Sequence, residues 1–182
     1  MLIPNIPHPR FESIKRLSRG MVITEKIDGS NALVYVDDHG LVYAGSRNRW
    51  LTVEQDNFGF ARWVSENEDQ LRELGPGLHY GEWWGLGIQR GYGLTEKRFS
   101  LFNVGRWNPE NVPACCHVVP VLYEGLFDTR TATRVLHELG EGGSVAAPGF
   151  SNPEGIVVFH EHSRTLFKKT LDDNDQHKFR GS

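Results

Sequence analysis

Residues Thr24–Asn31 read TEKIDGSN, a strand-like segment that runs into an Asp-Gly turn. Such a turn would place Lys26 at the end of the strand, and a lysine amine is a nucleophile once it has lost its proton. Lysine has a reference pKa of about 10.4, so its amine reacts only where burial or neighbouring cations favour the neutral form. Lys-x-Asp-Gly alone is more typical of a surface lysine before a hairpin turn. The rest of the chain must decide between these two interpretations.

The composition is that of a globular protein, and we expect residues 1–182 to form a single domain. Hydrophobic residues make up 38% of the chain and charged residues 24%. No apolar run approaches the roughly 20 residues of a membrane span, and the first residues do not resemble an export signal. The only two cysteines, Cys115 and Cys116, are neighbours, and neighbouring cysteines rarely meet disulfide geometry. We therefore expect a cytoplasmic protein with no membrane partner.

The net charge of −3 argues against a protein that binds nucleic acid by bulk electrostatics. Basic residues nevertheless cluster locally, and folding would be able to gather these clusters on one face. Basic residues scattered in solvent are an equally good interpretation. The clusters are Arg10–Arg19, Arg47–Arg49, Arg90–Arg98 and Arg164–Lys169.

Short β-rich segments mixed with few helices predict an α+β domain built on antiparallel sheets. Apolar spacing predicts one helix over Val53–Leu74, and Asp128 and Gly140 predict the two ends of a second over Thr129–Leu139. The first three strands should form an antiparallel meander. The strands are predicted near Met21–Ile27, Ala32–Val36, Leu41–Gly45, Leu78–Trp84, Phe99–Arg106, Val118–Leu122, Gly155–His160 and Thr165–Lys169.

Six segments, taken in order, resemble the motifs of the covalent nucleotidyltransferases, the superfamily of DNA ligases, RNA ligases and mRNA capping enzymes. Each segment alone is only weakly specific for this superfamily, whereas all six in this order are strongly specific. The resemblance implies the nucleotidyltransferase (ATP-grasp-like) fold, with the nucleotide held between two antiparallel sheets that helices flank. The segments are Glu25–Asn31, Ser46–Asn48, Tyr80–Trp83, Phe99–Val104, Glu154–Val158 and Leu166–Lys169.

Asn31 and the segment Phe11–Leu17 are similar to the phage RNA ligase 2-like branch, which is typical of RNA repair. If the protein is phage-encoded, we expect it in the host cytoplasm. Ligases of this branch usually carry a C-terminal accessory domain, and we expect none within residues 1–182. A protein partner would then be able to supply that function.

The resemblance implies an ATP-dependent RNA ligase in which Lys26 becomes a lysyl-AMP. The partner would be RNA with 5′-phosphate and 3′-hydroxyl ends. Asp28, Asn31 and Lys168 are the other residues assigned to catalysis. A DNA ligase, or a catalytically silent nucleic-acid-binding module of the same fold, is the alternative.

Nucleotide contacts are implied for residues on several predicted strands. Glu82 would meet the ribose, and Phe102 would stack on adenine. Lys168 and Lys169 would neutralise phosphates and help to keep the Lys26 amine unprotonated. Many relatives have Lys-x-Lys here, whereas adjacent lysines on a strand point to opposite faces, which makes Lys168 the safer assignment. Glu25 is assigned to the nucleotide as well.

Glu154 is the metal ligand that the resemblance implies, for Mg²⁺ or Mn²⁺. Arg47 would present its planar guanidinium to the nucleotide and to the 5′-phosphate of the strand being joined, with Arg49 beside it. The glycine-rich run from Gly85 to Gly93 lacks the spacing of known phosphate loops. Its residues Gln89, Arg90 and Tyr92 are predicted to contact nucleic acid, and a simple connection between strands is an equally good interpretation.

Overall fold

The computed structural model describes residues 7, 10 and 12–172, so Phe11 of the branch resemblance lies outside it. The predicted α+β class is confirmed. The strands are β1 (Gly20–Lys26), β2 (Ser30–Val36), β3 (Val42–Ser46), β4 (Trp50–Leu51), β5 (Gly77–Gly85), β6 (Lys97–Leu101), β7 (His117–Val118), β8 (Val121–Leu126), β9 (Gly155–His160) and β10 (Thr165–Thr170). The helices are α1 (Phe60–Glu66), α2 (Glu68–Leu71), a 3₁₀ turn (Arg72–Leu74) and α3 (Thr129–Gly142).

The strands form two sheets. The smaller sheet has the order β10-β9-β1-β8, and the larger has the order β4-β3-β2-β5-β6-β7. Every pairing is antiparallel except that of β6 with β7. Each sheet packs one face against helices, so each has an apolar core of its own.

In the smaller sheet, alternate residues of β1 point into the core. Met21 and Ile23 are fully buried and pack with Val135, Leu136 and Leu139 of α3. Because successive side chains on a strand point to opposite faces, Lys26 lies on the face away from α3. The larger sheet likewise packs β2 residues against α1 and leaves its other face open.

The predicted meander of the first three strands is wrong. β1 pairs with β8 and β9, whereas β2 pairs with β3 and β5 in the other sheet. The chain crosses between sheets at the Asp-Gly turn. A Cβ on Gly29 would lie 2.5 Å from the Trp83 carbonyl oxygen and 2.7 Å from Trp84 Cβ, so only glycine fits this close approach.

The first predicted helix is shorter than expected. It begins at Phe60, not Val53, because the Asp56 carboxylate accepts hydrogen bonds from the amides of Asn57 and Ala61. It breaks at Asn67. Helix α3 begins after Asp128 as predicted but ends at Gly142 rather than Leu139. Among the described residues, no helix has the length and hydropathy needed to span a membrane.

A third apolar cluster lies where the chain passes between the sheets. It contains Ile27, next to the first crossing, and Val119, at the connection from β7 to β8. Trp84, Tyr92 and Ala147 complete it. Both crossing points therefore contribute to one apolar cluster.

Candidate active site

Lys26 ends β1 on the open face of the smaller sheet and forms an ion pair with Glu154. The Lys26 Nζ atom lies 2.5 Å from Glu154 Oε1, and both side chains are partly buried. Glu154 immediately precedes β9, whose first residue, Gly155, pairs with Lys26 across the sheet. Strand register therefore sets the contact between these two predicted residues.

The turn after Lys26 holds Glu82 of the larger sheet in place. The Gly29 amide donates a hydrogen bond to Glu82 Oε1 at 3.0 Å, and Asn31 Nδ2 donates one to Oε2 at 3.2 Å. Asn31 faces Glu82 because the two residues pair across β2 and β5. The Asp-Gly turn thus connects the two sheets and also fixes a carboxylate beside the nucleophile.

Glu82 is buried among charges of both signs. Its burial raises the pKa from 4.5 to about 7, although the Lys26 charge and the Gly29 hydrogen bond act in the opposite direction. The carboxylates of Glu154 and Asp28 add to the increase. An uncompensated buried carboxyl is costly, so this group suits a ligand that brings hydroxyl donors or a cation.

One of the two carboxylate oxygens of Glu154 is available to a ligand. Its Oε2 atom is buried and has no hydrogen-bond partner among the described residues. No group of three or more metal-ligating side chains occurs in that part of the chain. Mg²⁺ and Mn²⁺ are commonly bound through one or two carboxylates together with phosphate oxygens and water, so this oxygen fits a divalent ion brought with a nucleotide.

The register of β10 separates the two adjacent lysines. Lys168 pairs with Val157, which in turn pairs with Thr24, so Lys168 shares the open face with Lys26. Lys169 points the other way, and its Nζ donates a hydrogen bond to Thr133 Oγ1 of α3 at 3.0 Å. The prediction that Lys169 binds the nucleotide is therefore wrong.

The Glu25 side chain is used inside the protein. It is 1% exposed, and its two oxygens accept hydrogen bonds from Ser144 Oγ and from the amides of Val145 and Ala146. The prediction that this carboxylate contacts the nucleotide is therefore wrong, because the side chain faces α3 and the loop behind the sheet. Glu25 instead secures the segment that leads towards Glu154.

Arg90 does not present a free guanidinium to nucleic acid, which corrects that prediction. Its Nε donates to Asp28 Oδ2 at 3.0 Å, and a terminal nitrogen donates to Asp172 at 2.5 Å. Its neighbour Tyr92 accepts a hydrogen bond from the Asp28 amide at 2.8 Å. The glycine-rich run therefore supports the turn that carries the nucleophile. Gln89 is exposed, and its contact with nucleic acid stays a prediction.

Arg47 and Arg49 lie at the mouth of an open polar pocket of about 330 Å³. Arg47 is exposed and has no hydrogen bond to the other described residues, whereas Arg49 donates to the carbonyls of Gln55 and Asp56. The pocket adjoins the nucleophile turn, which fits the predicted phosphate contact. Its lining is Gly29, Ser30, Asn31, Ser46, Arg47, Asn48, Arg49 and Asn57.

Phe102 follows β6 and is 42% exposed, in contrast to the buried Phe99. Alternation places it on the same face as Ser100, which pairs with Glu82. The ring is exposed on the same side of the sheet as Glu82, and its contact with adenine stays a prediction.

The sequence interpretation missed two supporting residues, Ser144 and Asn57, and it assigned Tyr92 to nucleic acid rather than to the support of the nucleophile turn. Tyr92 has a positive φ of 53° within a run of glycines. Asn57 donates a hydrogen bond to Ser30 Oγ at 2.8 Å. The glycine spacing around Tyr92 was the one available sign that its loop is closely packed.

Comparison with known proteins supports the same fold. A family model described as RNA ligase matches residues 19–171. No curated protein sequence matches the chain.

Similar solved structures are variants of an RNA ligase from Naegleria gruberi. One, solved with ATP and Mn, has a TM-score of 0.62 and 20% identity over 86% of this chain and 51% of that chain. Another, with AMP and Mn, has a TM-score of 0.61 and 20% identity over 85% and 50%. The chain thus spans about half the length of these structures, and the likeness shows a common fold. Since the family model covers most of its length, the chain belongs to the RNA ligase family.

Proposed function

We propose that this chain is the nucleotidyltransferase domain of an ATP-dependent RNA ligase that joins 5′-phosphate and 3′-hydroxyl ends. The observation that carries the proposal is the Lys26–Glu154 ion pair of the smaller sheet, which lies close enough to Glu82 of the larger sheet for both charges to act on the Glu82 pKa. The ATP, AMP and Mn in the similar ligase structures support the choice of nucleotide and metal.

In the first step, Lys26 Nζ attacks the α-phosphorus of ATP. A phosphorus–nitrogen bond forms, the bond to the bridging oxygen breaks, and pyrophosphate leaves. Glu82 accepts hydrogen bonds from the ribose, Phe102 stacks on adenine, and Lys168 faces the phosphates. The divalent ion, held through Glu154, would offset charge on the phosphate oxygens when bound.

In the second step, an oxygen of the RNA 5′-phosphate attacks the same phosphorus and breaks the bond to Lys26. The 3′-hydroxyl then attacks the 5′-phosphorus, and AMP leaves. The groups supplied by the chain mainly position the reactants and stabilise charge, as is usual in phosphoryl transfer. We assign the 5′-phosphate to Arg47, because its pocket is also lined by Gly29, Ser30 and Asn31 of the segment that follows Lys26.

Incubation with α-labelled ATP and Mg²⁺ tests the first step. Native protein should retain label after denaturation at alkaline pH, whereas Lys26→Ala and Lys26→Arg should retain none. The arginine variant keeps the positive charge beside Glu154, so it separates nucleophilicity from ion pairing. An unlabelled native chain would indicate a silent binding module, and label on Lys26→Ala would exclude Lys26.

The labelled protein can then be given matched RNA and DNA strands with 5′-phosphates. Transfer of AMP to RNA at least tenfold faster than to DNA is expected. Equal or faster transfer to DNA would identify a DNA ligase instead. Replacing ATP by GTP should abolish labelling.

A further inference from the structure

The open face of the larger sheet carries a row of aromatic side chains, most of them exposed. We call it the aromatic face and define it as Tyr35, Tyr43, Trp50 and Tyr80. Trp50 and Tyr80 are each 56% exposed, Tyr43 is 43% exposed and Tyr35 is half-buried. Soluble proteins seldom leave so many large rings together in water without a binding role.

Strand register places these rings on one surface. Tyr35 pairs with Tyr43 on β3 and with Leu78 on β5. Tyr80 pairs with Leu33, which lies two residues from Tyr35 and therefore on the same face. The face spans β4 to β5, a width of about 14 Å at roughly 4.8 Å for each strand spacing.

At the β4 edge, three rings form a cluster of their own. The ring centroids of Tyr35 and Tyr43 are 5.7 Å apart, and the two ring planes are nearly parallel. The Trp50 ring centroid lies 6.0 Å from that of Tyr35. A Cβ on Gly45 would lie 3.3 Å from the Trp50 ring, so the indole lies over this glycine. The absence of a side chain at Gly45 keeps the indole against the sheet.

The aromatic face is continuous with the candidate active site. Glu82 lies two residues beyond Tyr80 on the same side of β5, and Asn31 lies two residues before Leu33 on β2. Arg47 and Arg49 precede Trp50 in the turn between β3 and β4, so positive charge borders the rings. Exposed aromatic rings on a sheet, bordered by arginine, are suited to stacking unpaired bases whose phosphates meet the cations.

We propose that the aromatic face binds unpaired bases of a single-stranded RNA end and leads that end to Lys26. The inference rests on the proposed function and adds a substrate class, namely ends that are not base-paired near the join. Bases within a duplex are already stacked and paired, so a nicked duplex would gain little from these rings.

The test measures binding of a 3′-fluorescein-labelled, 5′-phosphorylated RNA 12-mer by anisotropy, without ATP. Trp50→Ala should bind about tenfold more weakly than native protein, and Trp50→Phe should bind within about threefold. Leu126→Ala removes an exposed apolar side chain at 73% exposure from the edge of the smaller sheet, so it is the matched control and should bind as native. Tyr43→Ala provides a second, independent variant of the same cluster.

A strand of the same length with abasic sites identifies stacking. Native protein should bind it about tenfold more weakly than the normal strand, and Trp50→Ala should show no further loss. Binding of a nicked RNA duplex should be the same for native protein and Trp50→Ala. The inference would be overturned if abasic sites weakened RNA binding equally in native protein and Trp50→Ala. It would also be overturned if Trp50→Ala lost the same affinity for single-stranded RNA as for nicked RNA.

Further measurements distinguish a failure of this inference from a failure of the proposed function. Labelling of Lys26 by ATP should be unchanged in Trp50→Ala, so loss of labelling in native protein counts against the proposed function alone. Native protein that labels normally but shows no single-stranded RNA binding overturns this inference alone. If native protein sediments as a dimer and Trp50→Ala as a monomer, the aromatic face is occupied by a second copy of the chain, and the inference is also overturned.

Discussion

Glu82 is the residue at which both sheets act on one carboxyl. The larger sheet buries it, and the turn from the smaller sheet supplies a hydrogen bond and a nearby lysine. Burial prevails, so the pKa rises to about 7, above its ordinary value of 4.5. Folded protein therefore holds a proton on Glu82 at pH values where unfolded protein has released it.

Stability should consequently fall as pH rises through this window. The Glu82 contribution is fully present below about pH 4.5 and is lost as pH passes 7, a change on the order of 3 kcal/mol. Urea unfolding of native protein and Glu82→Gln at pH 4.5, 6 and 7.5 checks this. The free energy of unfolding of native protein minus that of the variant should decrease with pH, and a difference that stays constant would contradict the assignment.

The neighbours Lys168 and Lys169 provide a matched pair of substitutions, because they share a strand and differ in the face they occupy. We expect Lys168→Ala to slow self-labelling with ATP about 100-fold, since it removes a cation from the phosphates. Lys169→Ala should label at close to the native rate. Initial labelling rates at saturating ATP decide the matter, and equal losses in both variants would mean that the face assignment is wrong.

At the scale of elements, the glycine-rich loop after β5 acts as a support for the nucleophile turn. It reaches the turn through Tyr92 and Arg90, and Arg90 also reaches Asp172 beyond β10. One loop therefore links the end of β1 to the end of β10. Whether Asp28 takes part in catalysis beyond holding this loop stays a prediction.

The corrected role of Arg90 leads to a distinct expectation. Arg90→Ala should slow self-labelling by about tenfold or more, because the Asp28 turn loses its partner, while RNA affinity changes by less than twofold. Arg90→Lys should recover part of the rate. Labelling kinetics and RNA anisotropy on the same preparations measure both quantities, and a variant that labels normally but binds RNA poorly would restore the original prediction of a nucleic-acid contact.

Much at this scale was predictable from local patterns. Helix α3 begins at Asp128 because the carboxylate accepts from the Arg130 amide, a capping role that the sequence shows directly. The Arg90–Asp28 pair was not predictable, since its members lie 62 positions apart and each resembles an ordinary surface charge. The hydrogen bond between Ser144 and Glu25 joins residues 119 positions apart and was missed for the same reason.

For the whole molecule, the assignment of strands to sheets was the main error. An Asp-Gly turn looks the same whether the flanking strands pair with each other or separate, so β1 and β2 were expected to be partners. What distinguishes the two cases is the space around Gly29, which only the folded arrangement defines. Three residues predicted from separate motifs, Lys26, Glu82 and Glu154, nevertheless lie close together in the structure.

The net charge of −3 is also a property of the whole molecule. RNA must be held by a few local cations, so we expect two or three phosphate contacts. At about 0.7 for each contact on a single strand, the logarithm of RNA affinity should fall with the logarithm of salt concentration with a slope of about −2. Anisotropy titrations from 50 to 300 mM KCl measure the slope, and a value steeper than about −4 would indicate a far more extensive basic surface.

The presence of Ile27 and Val119 in one apolar cluster has a mechanical consequence. Both links between the sheets pass through one small apolar cluster, and together they define a single axis. If a bound nucleotide draws the sheets together, the rotation about this axis displaces nearby atoms least and distant atoms most. Lys26, next to Ile27, would hardly move, while Phe102 of the larger sheet would move inwards towards the ligand.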